Sequence, residues 1–379
     1  MTLRCPISRR TFLKSLSVGA VGFSLCGLSG CSAGSTGRVI SNGPFSDTVT
    51  VLDSVGRSVV IPAPHQLRKV YFTSPLAEVF CFTVAPDLLA GTSSRYDEQC
   101  LEYLPESMGG LSYLGTLSNG GSIDIEALKY IGTQVVFSIS GVGLTDVNIS
   151  DALELEQQSG IPVVLIDGSF STIGDTYRFL GECLGRAERG GQLASYCEEI
   201  YQRVSQAVAR VPEGERVTYY FAEGSEGLST ENGASQHSVA FTAAGGINVA
   251  ANAADPGSAL LSSEVTIEQI RQWDPQYIIA WDYLERQGAG RLIRSSKQWA
   301  DVRAVREGHV YDMPSLPFAF CDRPPGMNRF LGIQWLANLF YPQYYDVDMV
   351  EVVREFYSRC YWRDISGEQA REILGYTDA

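Results

Sequence analysis

Between Arg186 and Val211, apolar residues recur at Leu193, Tyr196/Cys197, Ile200, Val204, Ala207/Val208 and Val211. Steps of three and four put them on one stripe of a helix, with Glu199 and Arg203 an i,i+4 pair on its polar side. Such a helix spans roughly 35–40 Å at 1.5 Å per residue. Before it, alternation in Thr48 to Ile61 with a turn at Ser54-Val55-Gly56 predicts a β-hairpin. Strands are expected at Lys69–Phe72, Leu88–Thr92, Val135–Ile139 and Val163–Ile166, and helices at Leu76–Val84, Ile123–Tyr130 and Asp151–Ser159. After it, strands are expected at Arg216–Ala222, Tyr277–Trp281 and Val310–Asp312. The helices there are a stretch ending at Gly245-Gly246, Thr266–Trp273, Trp299–Val305, one opened by Pro324-Pro325 and running through Trp335 to Phe340, and Val347–Cys360. Strands alternating with helices imply parallel sheets covered on both faces.

One segment occurs twice. Ile123-Asp124-Ile125-Glu126-Ala127-Leu128 is echoed by Val265-Thr266-Ile267-Glu268-Gln269-Ile270, and each is followed at the same distance by a short apolar strand. The repeat favours two equivalent units over one long helix packed on a single sheet. The expected fold is therefore α/β: two Rossmann-like lobes joined by one long rigid helix, with a ligand cleft between the lobes. The divisions are a leader at 1–31, a flexible Ser/Gly-rich tether at 32–47, an N-terminal lobe at 48–185, the spine helix at 186–211 and a C-terminal lobe at 212–379.

The leader has its own chemistry. Ser8-Arg9-Arg10-Thr11-Phe12-Leu13-Lys14 resembles a twin-arginine export motif, and Leu28-Ser29-Gly30-Cys31 resembles a bacterial lipobox. Between them runs an uncharged apolar stretch, Ser15 to Leu28, short for a spanning helix. Cys31 would become the lipidated first residue of an exported protein held on the extracytoplasmic side of the cell membrane. Cleavage removes four basic groups and no acid, taking the formal charge from −14 to −18. That sign excludes a nucleic-acid partner. The six remaining cysteines, Cys81, Cys100, Cys183, Cys197, Cys321 and Cys360, form no CxxC and no metal-spaced cluster with histidine. Twin-arginine substrates cross the membrane already folded, so these are read as buried core thiols, with one or two bridges left open.

Taken together these motifs resemble the helical-spine solute-binding proteins of bacterial ABC importers, the group that handles iron–siderophore complexes, haem and vitamin B12. The resemblance covers Thr48 to Leu374. It rests on the hairpin ending Gly56-Arg57-Ser58-Val59-Val60-Ile61-Pro62, on Ser74-Pro75 with Glu78, on Ile125-Glu126 and Ile267-Glu268, and on Gly245-Gly246-Ile247-Asn248-Val249-Ala250. Trp335-Leu336-Ala337, Tyr341-Pro342 and Phe356-Tyr357 match a subgroup that includes metal-chelate and molybdate or tungstate binders. One departure is Gly132-Thr133-Gln134 where the family often has Lys-Pro-Asp, as lobe two keeps in Asp274-Pro275; a weaker helix stop is expected in lobe one. The resemblance implies an ABC permease dimer with its ATPase as partner, with Glu126 and Glu268 docking on it.

In doubly wound folds ligands sit beyond the carboxyl ends of the strands. That rule selects Thr73, Ser74, Arg95, Tyr96, Ser138 and Ser140 in lobe one. In lobe two it selects Glu223, His237, Trp281, Tyr283, Phe318, Phe320, Asp322 and Arg323. Aromatic rings supply flat apolar area and arginines forked donors for carboxylate, catecholate or oxyanion groups. Three scattered histidines, His65, His237 and His309, do not make a bare-metal site. The expected ligand is a pre-formed iron chelate, with molybdate or tungstate as the alternative, and no protein-bound cofactor or metal. A chelatase-like enzyme of similar fold and a structural surface lipoprotein are rival readings. No GxSxG, HExxH, P-loop or helix-opening GxGxxG occurs, so no catalytic residue is assigned.

Overall fold

The computed structural model describes residues 37–43, 45–253, 262–281 and 289–376. The leader with Arg9, Arg10 and Cys31, and the candidate Tyr283, lie outside the described residues. Three strands open the fold: β1 (Arg38–Ser41), β2 (Thr48–Leu52) and β3 (Ser58–Pro62), all antiparallel, with Val49 opposite Ile61. The hairpin turn is tied by Asp53, whose Oδ1 accepts from the amides of Val55 and Arg57, while Gly56 takes a positive φ of 81°. Strand β1 falls inside the expected tether. Val39 packs against the core and the strand pairs with β2, a local alternation hidden by the surrounding Ser and Gly.

Lobe one is built on β4 (Val70–Phe72), β5 (Val135–Ser140) and β6 (Val163–Asp167), a parallel sheet in the order β4-β5-β6. All three strands are almost wholly buried, as parallel strands covered on both faces must be. The expected strand at Leu88–Thr92 reduces to a turn and a bridge from Leu89 to Val70, because Pro86 opens a short 3-10 turn first. Lobe two carries β7 (Thr218–Glu223), β8 (Ser229–Glu231), β9 (Ile247–Asn248), β10 (Ser262–Glu264), β11 (Tyr277–Trp281) and β12 (Val310–Asp312). The sheet order is β10-β8-β7-β11-β12 with β9 beside β7; β7, β11 and β12 are parallel.

The repeat is real in three dimensions. Helices Ile125–Ile131 and Ile267–Trp273 are equal in length, capped by Asp124 and Thr266, and closed by left-handed residues Gly132 (φ 80°) and Asp274 (φ 43°). The weaker stop expected in lobe one does not occur, since glycine is the residue best suited to a left-handed helix end. Gln134 and Gln276, at matching positions, use their side-chain oxygens to accept the backbone amides of Lys69, just before β4, and of Thr218, the first residue of β7.

Helix Ala187–Ala209 joins the lobes, 23 residues or about 35 Å. Its buried stripe comprises Leu193, Ala194, Tyr196, Cys197, Ile200, Val204 and Ala207. It lies against helix Ile173–Cys183, missed in the sequence, at a crossing where two glycines meet. A Cβ on Gly190 would stand 2.3 Å from the Tyr177 carbonyl oxygen and 2.9 Å from Cα of Gly181. Arg203 donates to Gln334 Oε1 at 3.3 Å, and no ion pair joins it to Glu199 among the described residues. The C-terminal helices are not confined to lobe two. Phe82 of lobe one meets Tyr361 (5.9 Å between ring centroids), Tyr103 meets Tyr357 (5.9 Å), and Trp362 Nε1 donates to the Phe82 carbonyl at 2.7 Å. Cys81, Cys183, Cys197, Cys321 and Cys360 carry buried free thiols, and Cys100, also buried, donates its S–H to the Pro317 carbonyl at 3.5 Å.

Candidate ligand-binding site

Parallel pairing brings the ends of β7 and β11 together, with Glu223 opposite Trp281. The loop after β12 returns across this edge and delivers Asp322 and Arg323 to it. The Arg323 Nη2 donates to Glu223 Oε1 at 2.7 Å and to Glu231 Oε1 at 3.1 Å. Its guanidinium carbon lies 5.0 Å from the Trp281 ring centroid, a cation–π distance. His237 bridges the two neighbours: Nδ1 contacts Asp322 Oδ2 and Nε2 faces Arg323 Nη1 at 3.3 Å. Behind them Arg329, on helix Asn328–Phe340, donates from Nη2 to Asp322 Oδ1 (3.3 Å) and to the Gln236 carbonyl (2.7 Å). Asp322 and Arg329 are wholly buried, Arg323 partly so.

Burial and charge work against each other here. Burial alone would push the Asp322 carboxyl up, but the bond and charge of His237 and the charges of Arg329 and Arg323 hold it below the usual range. For Glu223 burial wins: its carboxyl is pushed up to about 7 despite Arg323, helped by Glu231 and Asp322 nearby. Burial pulls the Arg323 guanidinium down, and the surrounding carboxylates outweigh it, so the net shift is upward.

Lobe one meets this wall through the chain just past β5. A Cβ on Gly141 would lie 3.3 Å from Gln236 Oε1 and 3.5 Å from Pro325 Cγ. The adjoining hydroxyls are used to shape the edge. Thr73 Oγ1 donates to Ser138 Oγ at 3.2 Å, Ser74 caps helix Pro75–Val84, and Ser140 donates to the Gly143 carbonyl. Tyr96 donates to the buried carboxylate of Glu78 at 2.7 Å, and Arg95 lies over the Tyr113 ring at 4.1 Å.

The structure thus gathers Glu223, His237, Trp281, Asp322 and Arg323 into one cluster. It removes Phe318 and Phe320 from it: both are core residues, Phe318 packed on Phe82 and Tyr361 and Phe320 about 1% exposed. An aromatic at a loop end satisfies the core as readily as a cleft, and these two do the former. Glu231, Arg329 and Gln236 escaped the sequence reading: Glu231 ends β8, a three-residue strand too short to show a pattern, and no motif marks the other two. Among the described residues no group of acidic, histidine and cysteine side chains is arranged to hold a metal ion.

Two α/β lobes on one long helix, with a polar cluster where their strand ends approach, define a bilobal ligand-binding protein. A family model for periplasmic binding proteins matches residues 84–317, and the chain belongs to that family. It is similar to an ABC transporter solute-binding protein from Sulfurospirillum deleyianum, at 26% identity and a TM-score of 0.76, over 86% of this chain and 99% of that one. In fold it is similar to MolA of Haemophilus influenzae bound to molybdate, at 20% identity and a TM-score of 0.65, over 84% of this chain and 99% of that one. In sequence, that molybdate-binding protein is 23% identical over 333 residues, 82% of this chain and 90% of its own length. The protein is therefore a periplasmic solute-binding protein of an ABC transporter, acting outside the cytoplasm with a membrane permease. Family members are transport proteins rather than enzymes. Among the described residues no helix is long and apolar enough to cross a membrane.

Proposed function

We propose that this protein captures a metal chelate of the iron–siderophore kind between its lobes and delivers it to the permease. The observation that carries the reading is Arg323 set over Trp281 at the strand ends, charge and flat apolar area in one place. A chelate presents both kinds of surface, anionic donor groups and planar organic framework. The similarity to MolA favours a second reading, molybdate or tungstate. Tryptophan fluorescence titration of folded, ligand-free protein separates the two. Ferric catecholate and hydroxamate chelates are expected to give a saturable change, and a response to molybdate and tungstate alone would transfer the assignment. Silence toward all of them overturns both readings. Truncating Arg323 should cost on the order of 1.5–3 kcal/mol of binding, the range for a charge-assisted hydrogen bond.

The leader extends this proposal to a lipoprotein, exported by the twin-arginine route and tethered through Cys31. Glu126 and Glu268 are the proposed docking pair. Both are exposed, both occupy the second position of their helix, and equivalent points on two lobes suit a two-fold permease. A carboxylate in a first helical turn is favoured locally as well, without any partner. Charge reversal separates these roles: Glu126→Arg with Glu268→Arg should abolish uptake while leaving ligand titrations unchanged. Normal uptake by the double variant would rule docking out.

A further inference from the structure

Arg323 faces the cleft with its Nη2 already committed to two carboxylates. Its Nη2 serves Glu223 and Glu231, its Nη1 faces His237 Nε2, and its Nε stands 3.6 Å from Asp322. The ring of Trp281 covers one face. A guanidinium recognises an anion through a fork of free N–H groups; here both carboxylate bonds fall on Nη2, while Nη1 meets the His237 ring and Nε makes no hydrogen bond among the described residues. The cluster also sets three carboxylates against two guanidinium groups and the His237 ring. Arg323 and Arg329 face Asp322, Glu223 and Glu231, all nearly out of water. A buried group of this kind is relieved by a single proton.

The geometry says which carboxylate takes it. Asp322 is enclosed by Arg329, His237 and Arg323 and keeps its charge. Glu223 has Arg323 as its only cationic partner among the described residues. Around it stand Tyr220 on its own strand, Glu231 on β8, Glu264 on β10 beyond Ser229, His237 on the turn Gln236–Ser238, and Asp322 on the Arg323 loop. Burial and these acids favour the neutral form.

We propose that Glu223 determines specificity by gating Arg323: when Glu223 takes a proton its ion pair breaks, the guanidinium turns to an anionic group of the ligand, and anion and proton enter together. The proton comes from solvent and stays on Glu223, so charge at the site changes by one unit less than the ligand brings. Neutral or cationic solutes gain nothing from the exchange, because they do not repay the lost ion pair. This inference rests on the reading that the lobe-two wall is the binding wall.

The gate is testable without any ligand. Trp281 should report the loosening of Arg323 as a fluorescence transition with a midpoint near pH 7, between pH 5 and 9, in ligand-free protein. Glu223→Gln, similar in size and unable to ionise, should abolish the transition, and so should Trp281→Phe; circular dichroism checks that each variant is folded. A flat wild-type profile, or a transition that survives either substitution, overturns the proposal. Binding supplies the second arm, with molybdate and a ferric tris-catecholate as probes. Affinity should be level below about pH 7 and fall up to roughly tenfold per pH unit above it, and Glu223→Gln should lose that slope. Calorimetry in two buffers of different ionisation enthalpy should show about one proton taken up per ligand at pH 8. A probe that binds with no proton uptake overturns the gate. If neither probe binds at any pH, the chelate and oxyanion readings fail, while the ligand-free transition still decides the gate.

Discussion

Glu78 is fully buried on helix Pro75–Val84, yet three donors point at it: the amide of Ser93, its hydroxyl at 2.6 Å and the Tyr96 hydroxyl at 2.7 Å. Burial outweighs the donors and pushes the carboxyl up to about 7 from an ordinary 4.5. A raised carboxyl binds its proton more tightly in the folded state. Its stabilisation is complete below about 4.5 and is lost as pH rises through about 7. Relative to Glu78→Gln, the wild type should lose on the order of 3 kcal/mol between pH 5 and pH 8. Urea denaturation at a series of pH values checks this, and parallel curves for the two proteins would refute it. At this scale the sequence showed Glu223, a charge ending an apolar strand, and the Asp322-Arg323 pair, which stands just before the Pro324-Pro325 helix start at the predicted cleft rim. It did not show Glu231 or Arg329. One ends a three-residue strand and the other lies in a helix, and only the fold brings Glu231 to Arg323 and Arg329 to Asp322.

Helices here are positioned by close contacts as much as by stripes. Gly190→Ala should destabilise by about 1–3 kcal/mol, because its methyl would enter the Tyr177 carbonyl and the Gly181 backbone. Gly191, the next residue, has nothing within 4 Å of its Cβ position, and Gly191→Ala should stabilise by up to about 1 kcal/mol through helix propensity alone. Denaturant midpoints at unchanged slope measure both, and equal effects would remove the close-contact argument. The spine was legible because its apolar stripe is long and regular. Helix Ile173–Cys183 was not: Gly174 and Gly181 sit within it, and glycine in a helical pattern reads as a break. Trp299–Val305 was over-read for the opposite reason. An apolar spacing suggested a helix where turns lead to a short one at Arg303–Arg306.

The main core is one connected body: it runs from Val51 of the hairpin through Phe80 and Ile200 to Phe221, Phe340 and Tyr361. Packing of that extent ties the lobes together across the spine and leaves little freedom for hinge closure. Two lobes were legible from the repeat, but the return of the C-terminal helices onto Phe82 and Tyr103 was not, since no local pattern names a distant partner. Export tests the other end of the chain. Changing Arg9 and Arg10 together to Lys should leave precursor in the cytoplasm, and normal maturation of that variant would refute the twin-arginine route. The buried thiols have a practical consequence. Cys81 and Cys183 lie in lobe one, Cys321 adjoins the Arg323 cluster, and Cys197 and Cys360 flank the seam between the spine and the C-terminal helices. A maleimide should therefore react at each only as fast as that neighbourhood opens, and mass spectrometry of the order of modification would turn five native side chains into a clock for local unfolding. Prompt labelling of all five in native buffer would contradict the packing.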